Sequence, residues 1–72
     1  MNDPYENLAN AIVLSAVTDY REALARCRLH SAKESFQQER EDIERFFRSG
    51  WFGVLTKLDP EVLIRKLREE VA

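Results

Sequence analysis

Residues 4–29, PYENLANAIVLSAVTDYREALARCRL, decide how the rest of the chain folds. Within them Tyr5, Leu8, Ile12, Ala16, Tyr20, Leu24 and Cys27 recur at steps of three and four. That is the period of one buried helical face. Ala9, Val13, Val17 and Ala23 widen the stripe beyond what a single partner helix needs. The start is marked as well: Asp3 is a capping residue, Pro4 suits the first helical position, and Glu6 can close a capping box. One long helix over about residues 4–29 follows, buried along more than a narrow seam.

Outward from this helix, Ser31-Ala32-Lys33-Glu34 has the S-x-x-E spacing of a second capping box. The link through Leu29-His30-Ser31 is therefore short, and short links between helices give antiparallel hairpins. The second helix is expected over about 32–48, with Phe36, Ile43, Phe46 and Phe47 inward. Its pairs Glu41–Arg45 and Glu44–Arg48 have the four-residue spacing of exposed ion pairs, each worth only a few tenths of a kcal/mol. Ser49-Gly50 breaks the pattern, and Trp51-Phe52-Gly53-Val54-Leu55 reads as a short helix over 50–57. Asp59-Pro60-Glu61 opens the last helix, 60–71, whose apolar face is Val62, Leu63, Ile64, Leu67 and Val71. Glu61 and Arg65 form one more four-residue pair. The fold class is all-α: a small three-to-four-helix bundle on a long antiparallel hairpin, with a short aromatic turn and a C-terminal helix. No repeat or linker divides it, so residues 1–72 make a single domain.

Seventy-two residues leave a thin core and little room for an enclosed pocket. A non-catalytic role is the expectation, with no cofactor. Thirteen acidic and 11 basic residues give a net charge of −2, without the basic excess of a nucleic-acid binder. One cysteine permits no internal disulfide. No stretch has the length of a signal peptide's apolar region or of a membrane span, so the expected location is cytoplasmic and off the membrane.

The candidates for chemistry are few. Cys27 and His30 stand three apart, a spacing that could give two metal ligands or a thiolate beside an imidazole. A structural zinc site needs four ligands, so a core cysteine and a polar linker are the better reading. The carboxylates Glu39, Glu41, Asp42 and Glu44 are interleaved with Arg40, Arg45 and Arg48 and read as a hydrophilic helix face. Most informative is Phe46-Phe47-Arg48-Ser49-Gly50-Trp51-Phe52, which holds four of the seven aromatic residues. One helical face cannot hide all four rings, so part of this turn forms core and part remains at the surface. Phe47, Arg48, Trp51 and Phe52 are the candidate partner-binding residues, since Trp, Tyr and Arg are enriched at binding hot spots. A nucleic-acid alternative rests on Arg26 and Arg28 at the hairpin and Arg65 and Arg68 on the last helix.

The stretch Ile43-Glu44-Arg45-Phe46-Phe47-Arg48-Ser49-Gly50-Trp51-Phe52 through Leu55-Thr56 and Leu58-Asp59, with Leu63-Ile64 and Leu67 after it, resembles short helical proteins of phages and integrative elements of Gram-positive bacteria. The resemblance runs from Asn10-Ala11-Ile12-Val13 to the C-terminus. It departs at both turns, where the similar proteins carry an acidic residue for Gly50 and a glycine for Pro60. It implies no activity and no catalytic residues, but it does imply mobile-element work: regulation, DNA processing or the blocking of a host defence. The expected function is thus a small protein-interaction module, binding a protein partner or itself as a homodimer through the aromatic turn. The alternatives are a DNA-binding or recombination accessory protein and an inhibitor of a host defence nuclease.

Overall fold

The computed structural model describes the backbone of residues 4–71 and the side chains of residues 7–70. The Asp3 cap, the Glu6 capping box and the side chains of Tyr5 and Val71 lie outside the described residues. Four helices follow one another: α1 (Pro4–Leu29), α2 (Glu34–Phe47), α3 (Gly50–Leu55) and α4 (Pro60–Val71). There is no strand among the described residues. At 1.5 Å per residue the 26 residues of α1 run about 39 Å, nearly the full 44 Å of the long axis. α1 is therefore the spine, and α2, α3 and α4 each pack against it.

The first turn differs from the capping-box reading. His30 N–H donates to the Arg26 carbonyl at 2.8 Å and Lys33 N–H to the His30 carbonyl at 3.0 Å, so the link is longer and the second helix starts two residues later than expected. α2 begins at Glu34 with Lys33 in the capping position and no side-chain cap, and the Ser31 carbonyl instead accepts from Gln37 Nε2 at 2.6 Å. At the second break the Ser49 hydroxyl donates back to the Phe46 carbonyl at 2.6 Å, which closes α2 rather than capping α3. The third signal forms as its residues dictate: Asp59 Oδ1 accepts from Glu61 N–H at 2.9 Å, and Pro60 takes the first helical position.

Register comes from residues that meet across helices. Arg26 meets Glu39 and Tyr20 meets Glu44, so α2 returns antiparallel along α1. Glu44 meets Arg68 and Arg48 meets Glu61, so α4 runs opposite to α2. The core is Val13, Val17, Tyr20, Ala23 and Leu24 of α1, Phe47 of α2, Phe52 of α3, and Ile64 and Leu67 of α4. Two members of the expected α1 stripe lie off its centre: Leu8 is 60% exposed and Ile12 39%. α1 points the line Val13-Val17-Tyr20-Leu24 at the core, one residue round from Ile12, because α3 and α4 cover that side too.

Candidate functional site

Two features stand out: a buried polar knot in the middle of the bundle and an aromatic turn at one end. The knot is centred on Glu44, which is only 6% exposed and is the one charged residue in the buried set among the described residues. Tyr20 Oη donates to Glu44 Oε2 at 2.6 Å, and Arg68 donates to the same oxygen at 2.7 Å while its Nε donates to Tyr20 Oη at 3.2 Å. One carboxylate thereby ties α1, α2 and α4 together. Arg40 Nε approaches the same oxygen at 3.7 Å, buried and without a hydrogen bond, and Arg48 lies 3.6 Å from the other oxygen. Arg48 also makes a two-pronged bond to Glu61, at 2.7 and 3.0 Å, and Arg21 makes another to Glu70.

The electrostatics follow from these contacts. Burial pushes the Tyr20 hydroxyl up, the bond to Glu44 adds to this, and the result is about 12 against an ordinary 10.0. Burial also pushes the Glu44 carboxyl up, but the bonds from Arg68 and Tyr20 outweigh it and hold the group below its ordinary range. Arg68 is raised chiefly by its bond to Glu44. At neutral pH the carboxylate thus holds its charge and the phenol holds its proton. A general acid or base works best near the operating pH, and both of these groups are driven away from it. The knot is a structural clamp, which corrects the reading of Glu44 as one more residue of a solvated face. Of the expected four-residue pairs, Glu44–Arg48 forms at 3.6 Å, while Arg45 bonds Asp42 rather than Glu41 and Glu61 bonds Arg48 rather than Arg65.

The aromatic turn divides sharply. Phe47 stacks edge-on against Tyr20 at 5.4 Å and against Phe52 at 5.3 Å, with Phe46 at 6.1 Å from both phenylalanines. Phe47 and Phe52 are each 1% exposed, so neither can touch a partner, and both leave the candidate contact set. Arg48 is half exposed but engaged by Glu61 and Glu44. Trp51, next to buried Phe52, is 72% exposed, and Val54, one turn on along α3, is 77% exposed. Residue 51 points away from the bundle because α3 is only six residues long and turns just one side, that of Phe52, toward α1 and α2. Val54 was missed at the sequence level; its three-residue offset from Trp51 was the available signal.

The remaining candidates resolve into ordinary structure. The Cys27 thiol donates to the Phe36 carbonyl at 3.2 Å, and the His30 ring lies 5.6 Å from that of Phe36. Among the described residues no group of three or more His, Cys, Asp or Glu side chains could hold a metal ion. Of the four arginines of the nucleic-acid alternative, Arg65 and Arg68 line one cleft of the bundle, and Arg26 lies apart from them. Arg26 pairs with Glu39 and Glu22 where α1 meets α2, while Arg68 is part of the knot at the level of Tyr20, almost two turns earlier along α1. No described helix is long and apolar enough to cross a membrane. Comparison with protein-family models, with curated proteins and with solved structures finds no match for the chain.

Proposed function

We propose that this chain is a non-catalytic protein-interaction module that presents Trp51 and Val54 to a protein partner. One observation carries the reading: a tryptophan 72% exposed on a helix whose next residue, Phe52, is fixed in the core at 1%. An isolated exposed apolar residue needs no explanation, but tryptophan beside valine on one short, anchored helix makes a rigid apolar ridge. Tryptophan is the side chain most often found to dominate an interface, and an anchor held in place loses little freedom on binding. Arg48, three residues before Trp51 in the chain, remains half exposed. The contact set of this proposal is therefore Trp51 and Val54, with Arg48 shortly before them in the chain. The mobile-element resemblance directs the search for the partner to the bacterial host, a defence nuclease included.

The test is affinity capture from host lysate with and without nuclease treatment, followed by binding of the purified partner to Trp51→Ala. Truncating a residue this exposed should change the unfolding free energy by no more than about 0.5 kcal/mol. Loss of a nuclease-resistant partner in that folded variant supports the ridge. Capture that vanishes with nuclease, or a partner that binds Trp51→Ala as tightly as the parent, overturns it.

A further inference from the structure

A second surface lies elsewhere on the bundle and does not depend on the ridge. Between the N-terminal half of α1 and the C-terminal half of α2 runs an open groove of about 490 Å³. Ile12, Ile43 and Phe46 form its apolar floor, and Ala11, Ser15 and Ala16 are too small to fill it. Leu8, 60% exposed, stands one turn before Ile12 on the same side of α1 and prolongs the apolar track. From Ala11 to Asp19 the groove is about 12 Å long, two helical turns.

Its far end is acidic. Asp19 and Asp42 border the groove there, and Glu22 and Glu39 continue the rim around the single guanidinium of Arg26. Asp42 already accepts from Gln38 and Arg45, at 2.9 and 3.0 Å. Arg26 is taken up by Glu39 and Glu22. The Asp19 carboxylate has no hydrogen-bond or ion-pair partner among the described residues.

An apolar track two turns long that ends at an unpaired carboxylate selects its occupant by shape and by charge. We propose that the groove receives an amphipathic helix of another protein, which sets large apolar side chains over Ile12 and Phe46 and a Lys or Arg against Asp19. Apolar side chains at three- and four-residue spacing are how a helix fills such a groove. A second copy fits less well. A two-fold contact through this groove would set the same acidic rim against itself or against apolar floor, and the cations it carries, Arg26 and Arg45, are already taken up by Glu39, Glu22 and Asp42.

Because the natural segment is unidentified, the probe is a displayed library of helical peptides about 14 residues long. Apolar residues are fixed at three- and four-residue spacing, and the flanks are left free. Enriched peptides are then synthesised and their affinities measured by fluorescence anisotropy. The expected peptides carry Lys or Arg at one end only. Ser15→Trp, at an exposed position, should fill the groove and weaken binding at least ten-fold, with Ala11→Trp as a second filling variant if the first disturbs the fold. Asp19→Asn should cost about three-fold and Asp19→Lys more, in the range of an exposed ion pair and its reversal. Trp51→Ala should leave binding unchanged, which keeps this result separate from the ridge. No enrichment, enriched peptides without a cationic end, or affinities indifferent to both filling variants would each overturn the proposal. So would sedimentation showing a dimer of this chain that Ser15→Trp dissociates, because the occupant would then be a second copy.

Discussion

Where Tyr20 of α1 faces Glu44 and Arg68, the bundle is shut by hydrogen-bonded charge; two turns earlier, where Ile12 faces Phe46, it is left open with apolar side chains at the surface. The two stretches of α1 reverse the usual association of charge with water. Glu44 is 6% exposed and Ile12 39%. What decides burial here is how well neighbours satisfy a side chain rather than its hydrophobicity alone. Glu44 gains two short donors and two further guanidinium groups within 4 Å, which offsets its desolvation. Ile12 meets Ala16, Ser15 and Ala11 on its own helix, and these small side chains leave the space between α1 and α2 unfilled. The closed seam holds the fold together, and the open one remains free to meet another molecule.

The largest break in this contrast is Glu44→Ala. It strips Tyr20 and Arg68 of their shared acceptor and should lower the unfolding free energy by about 3 kcal/mol, at the lower end for a broken buried pair because Arg68 can turn to solvent. A chain of this length holds roughly 4–10 kcal/mol in all, so the loss is readable as a shift of the urea midpoint. The triple variant Tyr20→Phe, Glu44→Leu, Arg68→Met sharpens the point. If the knot is a clamp whose cost lies in desolvation, removing its three hydrogen-bonded side chains together should destabilise less than Glu44→Ala alone, since the part-exposed Arg40 and Arg48 that remain can turn to water. A triple variant weaker than the single one would mean that the charges add net stability.

Titration probes the same seam with no change of sequence in the knot. Tyr20 keeps its proton to about 12 in the folded chain against an ordinary 10.0. Its contribution is complete below pH 10 and is lost as pH rises through 12, by about 2–3 kcal/mol on this shift. In a Tyr5→Phe background, phenolate absorbance should appear near pH 12 and together with loss of helical circular dichroism. Phenolate formation near pH 10 with the helices intact would mean that Tyr20 is in water. Glu44 acts with the opposite sign: held below its ordinary range, it stabilises above about pH 4.5 and loses that contribution as pH falls through its folded value. Stability should therefore fall below about pH 4.5, and by less in the triple variant, where the carboxylate is gone.

Much of the fold could be read in the residues. The four helices lie close to their expected spans because the signals were local: Asp59-Pro60, the Ser49-Gly50 break, and the three-and-four spacing of α1. The closed seam could not be read this way. Glu44 sits four residues before Arg48 and four after Arg40, the pattern of an exposed ion-pair ladder. Nothing within α2 says that Tyr20 and Arg68, each 24 residues away, will converge on it. Ser31 likewise offered a good capping pattern, but the turn set by His30 and Lys33 placed it outside the helix. The split between Trp51 and Phe52 had the same origin. A five-residue apolar run fixes that a short helix forms, while which of its sides meets α1 depends on packing that the run does not encode.

The smallest effect belongs to the open seam. Ile12→Ala should cost about 1 kcal/mol, well below the roughly 2–5 kcal/mol of an aliphatic side chain lost from a closed core, because 39% of Ile12 is already exposed and the cavity it leaves opens into the groove. Leu24→Ala, 8% exposed on the same helix, is the internal standard and should fall inside that range. Both are read as urea midpoints at several protein concentrations. An Ile12→Ala loss that matches Leu24→Ala at every concentration would mean that α1 and α2 close over the groove in solution. A loss that grows with concentration would mean that a second copy covers Ile12. Only a small, concentration-independent loss leaves the seam open, as its unfilled space and its unpaired aspartate require.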